Sequence, residues 1–346
     1  MISLDGSHLE GGGSLVRVAL ALSTVTGQEF KVDKIRSGRK DPGLKAQHLH
    51  AIKALKKICH AETSEFELGS TELYFKPGTI KSGHYTIDIG TAGSITLLLQ
   101  ALILPSLFAP GKITFNIKGG TCGKWQASVD YLQHILIPHL ENFAEKIELK
   151  ILKRGYYPKG GGEIELKIIP KFKNHEDLKN IPPLKLIHQG KLKEIEGIIN
   201  LSEQLKEKGV AERIRKTAEA LLQRYKVPIT IRIEHAPSLS IGGEALVWAV
   251  FDHNIILGSD VLLEPRKTSE DIGKEVVEKL SQEIQSGAAV DPHLADQLIP
   301  FMALLPGSEI KTDEITNHTK TNVYVAEKFL EVKFVVDEKL IKVEEL

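Results

Sequence analysis

The sequence is short of cysteine, tryptophan and methionine, with two of each in 346 residues, and only 6% of it is aromatic. Two cysteines, Cys59 and Cys122, cannot build the disulfide framework of a small secreted fold, so a reducing cytoplasm is the expected compartment. No apolar run reaches transmembrane length, and no basic–apolar–small leader is read at the start, so no membrane association is expected. Net charge is also missing: 45 basic residues balance 45 acidic ones, which argues against a protein that coats nucleic acid indiscriminately. No GxGxxG follows a strand, which excludes the usual dinucleotide fingerprint. The segment Gly119–Lys124 is one residue short of a Walker A loop and places Trp125 where Ser or Thr would hold Mg²⁺. In Ser3-Leu4-Asp5-Gly6 a serine stands where the lysine nucleotidyl-transfer motif needs its nucleophile. No Cys/His cluster has zinc-ligand spacing, and His48-Leu49-His50 lacks a third histidine.

What is present is ordinary in bulk, 42% hydrophobic and 26% charged, and long enough for two units. The densest stretch is LDGSHLEGGGSLVRVALAL, Leu4 to Leu22. It reads as a short strand, a loop with Glu10 and three glycines, and a helix expected to be capped by Ser14, with Arg17 one turn in. Free N–H groups at a helix start attract an anion, and an arginine fork suits phosphate. A plain strand–turn–helix junction with solvated charges would look much the same. From Gly27 to Lys57 nine basic residues face three acidic ones, a local charge of +6, with Arg36, Arg39 and Lys40 clustered between a strand and a helix expected at Pro42–Cys59.

Element order repeats. The spacing predicts βαβαββ up to Lys76 and again from His84 to Ile169, where a second helix at Trp125–Asn142 carries a break at Pro138. A third copy starts from a short strand at Ala288–Val290 and ends at Val343. The helices after the first strand of each copy are expected to start at Ser14, Ser94 and His293, so that their N-termini face one centre. Between copies two and three, Pro182-Pro183 opens a segment with its own rhythm, including a strand at Leu184–Gln189 and two amphipathic helices. The expected fold is α/β (α+β): three βαβαββ repeats, residues 1–181 and 287–346, as the large domain, and a smaller inserted α/β domain, residues 182–286.

Seven segments, in order along the chain, together resemble the RNA 3′-terminal phosphate cyclase family. They are LDGSHLEGGG (Leu4–Gly13), IRSGRKDPGLKAQHL (Ile35–Leu49), IGTAGSITLLLQ (Ile89–Gln100), KGGT (Lys118–Thr121), RGYYPKGGG (Arg154–Gly162), HLADQL (His293–Leu298) and HTKTNVYVAEKFL (His318–Leu330). The resemblance implies an enzyme of RNA processing with ligase-like nucleotidyl-transfer chemistry. It would use ATP to convert an RNA 3′-phosphate into a 2′,3′-cyclic phosphate through AMP bound to a histidine. That histidine belongs to a His-x-x-Thr-Asn segment, here His318 to Asn322. It further implies Glu10 as ligand of Mg²⁺ or Mn²⁺. Arg17 and Arg39 would hold phosphates. Gln47, Gln100, Asp296, Gln297 and Asn322 would contact the nucleotide or its phosphates. His293 stands where the family has an aromatic tyrosine, so a stacking or phosphate-contact role fits it. The implied partners are RNA 3′-phosphate ends and ATP, with a homo-oligomer left open. Two other readings compete: a non-catalytic, cyclase-like RNA-binding assembly factor, which would lack the histidine, and an enolpyruvyl-type transferase, which would need six repeats and a longer chain.

Overall fold

The computed structural model describes residues 1–9 and 12–346. The first unit comprises β1 (Ile2–Asp5), α1 (Gly13–Thr26), β2 (Phe30–Asp33), α2 (Ala46–Cys59), β3 (Glu62–Thr63) and β4 (Leu73–Lys76). The second comprises β5 (Gly83–Asp88), α3 (Ile95–Ser106) and β6 (Ile113–Gly119), then a helical stretch, then β7 (Ala144–Lys153) and β8 (Gly162–Pro170). That helical stretch has two α-helical ends, α4 (Val129–Tyr131) and α5 (Ile137–His139), joined by a π turn at Leu132–Leu136. Pro138 has no N–H and its ring would collide with the carbonyl four residues back; widening the preceding turn accommodates it. The sequence places a break there, and the wide turn replaces the break.

The remaining elements are β9 (Lys185–Leu186), β10 (Leu192–Ser202), α6 (Val210–Leu222), β11 (Ile229–Ala236), β12 (Gly243–Phe251), β13 (Ile256–Leu262), α7 (Ser269–Ser286), α8 (Pro292–Ala303), β14 (Glu309–Lys311), α9 (Asn317–Phe329), β15 (Val332–Asp337) and β16 (Leu340–Glu345).

Three of the four sheets are copies of one pattern. Their orders are β1-β2-β4-β3, β5-β6-β8-β7 and β9-β14-β16-β15. In each, the first two strands are parallel and the rest antiparallel. In β8 buried residues alternate with half-buried ones, so one face meets the core, as the period of two requires. α1 is different: from Gly13 to Thr24 every residue is buried. A helix apolar on all sides belongs inside a core, and α1 packs against α2, α3 and α9. Its few polar residues, Ser14 and Arg17 among them, are therefore carried into the interior.

The first strand of the third unit differs from its sequence reading. Lys185 and Leu186 pair in parallel with Glu309 and Ile310 of β14, and Val290 forms a parallel bridge with Thr312 farther along the same edge. One strand position is thus filled by two short pieces about a hundred residues apart in the sequence. The Gln189 amide ties them together by donating to the carbonyls of Glu283 (3.2 Å) and Ala288 (2.9 Å). The strand expected at 184–189 belongs to this third sheet, not to the segment that follows.

The fourth sheet, β11-β10-β12-β13, packs apolar side chains on both faces. One face carries an apolar cluster with α6 and α7 that includes Ile195, Ile199, Ile214, Val247, Val276 and Leu280. On the other, Ile198, Leu246, Trp248 and Ile256 join the main core. Trp248 stacks on His134 at 4.5 Å between ring centres. A Cβ at Gly258 would lie 2.4 Å from Ile135 Cδ1, so glycine is what lets β13 approach the helical stretch. Across this junction the Arg154 guanidinium grips both carboxylate oxygens of Asp130 and reaches Glu234 (3.0 and 2.7 Å).

Candidate active site

The N-terminal turns of α1 and α9 meet. The cap of α1 lies two residues earlier than the sequence suggests: Gly12 takes the cap position and makes no side-chain cap bond. Ser14 therefore lies inside the first turn, and the cap expected of it is not made. With the helix already started at Gly13, its hydroxyl turns outward to His318, with Oγ 3.4 Å from Nδ1. His318 is in the first turn of α9, whose start is capped by the Thr316 hydroxyl accepting from the Thr319 N–H (3.1 Å). The Nδ1 edge of the His318 ring thus faces the Ser14 hydroxyl at the start of α1.

Arg17 lies one turn below Ser14 and is 6% exposed. Its Nε donates to Gln100 Oε1 on α3 (2.7 Å). Burial pulls the guanidinium down to about 10, with Asp296 opposing the shift and Arg36 adding to it. Behind it sits His48, fully buried. The Lys45 backbone N–H donates to His48 Nδ1 (2.9 Å), and Nε2 lies 3.4 Å from Arg17 Nη1. Burial, then the charges of Arg17, Arg36 and Lys45, hold this imidazole well below its usual range, so it is neutral. A Cβ at Gly13 would lie 2.4 Å from His48 Nε2 and 2.8 Å from Arg17 Nη1. A glycine is needed there for the start of α1 to abut this pair.

α8 supplies the other wall. Its cap is Asp291, which accepts from the backbone N–H groups of His293 (3.0 Å) and Leu294 (2.9 Å); the helix begins at Pro292 rather than at His293. Asp291 also accepts from the Tyr131 hydroxyl (2.6 Å) and the Gly258 N–H (3.0 Å). Asp296, one turn on, is half-buried; desolvation pushes its carboxyl up to about 7, against the pull of His293 and Arg17. The Asn322 amide donates to the Asp296 carbonyl (2.8 Å), leaving its own buried Oδ1 without a partner. Gln297 donates to the His293 carbonyl (3.0 Å). Thr96, Gln100, Asp296, Gln297 and Asn322 line one narrow cavity of about 30 Å³, closed by apolar residues of α1, α3 and α8.

The sequence-predicted residues thus fall into groups. His318, Arg17, Gln100, Asp296, Gln297 and Asn322 are brought together where α1, α3, α8 and α9 converge. His293 faces away from that cavity, toward an open pocket of about 230 Å³ that Lys124, Trp125, Asp260 and Lys267 also line; its ring meets Tyr131 edge-on at 6.2 Å. Gln47 is half-buried in the first turn of α2, next to His48. Arg39 is exposed in the turns before α2, where its charge reaches Arg36. Pro42 is in those turns too, because α2 starts only at Ala46. Glu10 lies outside the described residues. Among the described residues, no group of three or more His, Cys, Asp or Glu side chains could hold a metal ion.

Sequence reasoning missed His48: its spacing suits no metal site, and no spacing marks a neutral histidine wedged behind an arginine. Arg36 belongs to the basic cluster that the sequence singles out, but its burial is not legible there. It sits at φ 56° with Nε buried and unpartnered. Burial and the neighbouring charge of Arg39 pull it down. Arg17, Arg36 and Arg39 therefore form a like-charged row ending at the helix start that faces His318. Like charges gathered in a low-dielectric wall are stabilised by an anion.

Three copies of one α/β unit thus bring helix starts, the buried Arg17 and His318 to one junction, groups whose chemistry suits an anion. The profile described as "RNA 3'-terminal phosphate cyclase" matches residues 8–336. Proteins named RNA 3'-terminal phosphate cyclase are 38% identical in Methanopyrus kandleri (96% of this chain, 94% of the relative) and 40% identical in Pyrococcus abyssi (97% and 95%). The one from Methanosarcina barkeri is 42% identical (98% and 97%). The chain belongs to the RNA 3′-terminal phosphate cyclase family.

Proposed function

We propose that this enzyme converts an RNA 3′-terminal phosphate into a 2′,3′-cyclic phosphate at the expense of ATP, with His318 as temporary carrier of AMP. The observation that carries the reading is His318 set against Ser14 at the start of α1, one turn above the buried Arg17.

The chemistry suits these groups. A neutral imidazole of His318 attacks the α-phosphorus of ATP; the N–P bond forms as the bond to pyrophosphate breaks. Protonated imidazole is a good leaving group, so AMP is readily passed on. An oxygen of the RNA 3′-phosphate displaces the imidazole and yields an RNA end joined to AMP through a pyrophosphate link. The neighbouring 2′-OH then attacks the former 3′-phosphate, closing the ring and releasing AMP. The last step is intramolecular, and positioning accounts for much of its ease. Negative charge develops on phosphate oxygens at each stage, and the work of the protein is to meet it with fixed donors. Arg17, held by Gln100, and the row through Arg36 to Arg39 supply cations. The starts of α1 and α9 supply backbone N–H groups. His293 at the rim of its open pocket suits stacking on a planar base. Glu10 is assigned as ligand of a Mg²⁺ or Mn²⁺ ion that neutralises phosphate charge; one carboxylate with substrate oxygens is enough for such an ion.

The test is self-labelling with ATP radioactive at the α-phosphate, followed by denaturation. The native chain is expected to retain acid-labile label and His318→Ala none. Label that persists on His318→Ala overturns the assignment. A native chain that takes no label, yet binds RNA, would return the protein to the assembly-factor reading.

A further inference from the structure

A groove lies along the outer face of α2, away from the converging helix starts. It is open, about 530 Å³, and lined by His50, Lys53, Lys56, Lys57, Phe66 and Asp88 among others. The three lysines are exposed. Their ammonium groups face one carboxylate, Asp88, at the end of β5. The Lys56 ammonium sits 5.8 Å from the centre of the half-buried Phe66 ring and donates to Thr63 Oγ1 (3.1 Å). Past Lys56 and Phe66 a second groove of about 560 Å³ continues, but its lining gains Glu65 and Glu67. The cationic part is therefore bounded: it begins near the start of α2 and stops where the acidic residues take over.

Its direction links it to the site. His48, in the first turn of α2, packs against Gly13 and Arg17. Lys57 is nine residues on, about 14 Å along the helix axis at 1.5 Å per residue. The groove thus leads outward from the wall behind the arginines. The chain as a whole is neutral, yet this one face is strongly cationic. A polyanion extending from the site would find here the next positive surface. A partly exposed aromatic ring among lysines is what single-stranded nucleic acid uses: charge for the backbone, a flat face for a base.

We propose that the groove along α2, with Lys53, Lys56 and Lys57, binds the sugar-phosphate backbone of the single-stranded RNA several nucleotides upstream of its 3′ end. This deepens the functional reading above and rests on it for the direction in which the RNA runs. The contacts are to phosphate, so they carry no base sequence and act on any RNA long enough to reach them.

The test uses the full chain and the triple variant Lys53→Gln/Lys56→Gln/Lys57→Gln. All three positions are exposed, so folding should be little changed, and a thermal melt checks it. Binding is read by fluorescence anisotropy, with no chemistry required, using a long 3′-phosphorylated RNA and a 3′-phosphorylated dinucleotide. For the long RNA, affinity at low salt should fall on the order of tenfold in the variant, and the slope of log K against log salt should flatten by about 2. The dinucleotide should bind both proteins equally within about twofold, because it ends before the groove. Equal affinity of the two proteins for the long RNA, or an equal loss for both ligands, would overturn the proposal. Self-labelling of the native chain is measured alongside. Its absence would count against the adenylate chemistry and leave the anisotropy result on the groove to stand or fall alone.

Discussion

Arg17 is a cation held where water does not reach, and the groups around it explain how. Gln100 takes one N–H, neutral His48 backs the fork, and Asp296 lends a charge that its own burial partly withholds. With a carboxyl near 7 in the folded state against 3.8 ordinarily, Asp296 favours folding while protonated. That contribution is whole below about pH 4 and is lost as pH rises through about 7. Replacing Asp296 with asparagine removes the titration. The variant should gain on the native chain as pH goes from about 4 to about 7, by up to about 1.4 kcal/mol per unit, and hold a constant lead above that. Urea unfolding at a series of pH values measures it; a lead that does not change with pH would contradict the burial argument. Legibility at this scale was uneven. His318 stands out only through the family resemblance that Thr321 and Asn322 complete. His48 does not, because burial beside a cation leaves no periodic mark. Ser14 was marked for the wrong reason: a serine before an apolar run reads as a cap, whereas Gly12 takes that place and frees the hydroxyl for His318.

Among the elements, α8 shows how one buried side chain fixes a wall of the site. Asp291 accepts from two N–H groups of its own helix, from Tyr131 on the helical stretch and from Gly258 on β13. Asp291→Ala removes the cap, worth about 1 kcal/mol, and strands several buried donors at about 1–3 kcal/mol each. We expect a loss of several kcal/mol in denaturant unfolding, with His293 and Asp296 displaced and self-labelling slowed. A loss of less than about 1 kcal/mol would show that Asp291 is not what holds α8. The long helices were readable, and Ser94 caps α3 as the sequence suggests, but the starts expected at Ser14, Pro42 and His293 fall elsewhere. What was not readable is the union of two strands: those expected at Leu184–Gln189 and Ala288–Val290 were read apart, and only the sheet that joins Lys185–Leu186 and Val290 reveals one interrupted strand.

For the whole molecule, the repeat was legible because three units share one order of elements, each with its own periodicity. The way the fourth sheet is seated was not, because it depends on charges distant in sequence. Asp130 and Arg154 of the second unit meet Asn200 and Glu234 of the fourth sheet, where Asn200 also donates to Glu244. Asp130 and Arg154 are both almost fully buried, so removing one leaves the other uncompensated. Arg154→Ala should destabilise the chain by about 3–5 kcal/mol, and hydrogen exchange should rise first in β10 to β12 along that junction. Exchange that rises evenly over all four sheets would show that the pair does not seat the segment. The most direct measurement on the molecule is the location of the adenylate. After incubation with ATP, the chain is digested and the AMP-bearing peptide is sequenced by tandem mass spectrometry. The modification is expected on His318, in the peptide that begins α9; AMP on any other residue, His293 included, would contradict the account.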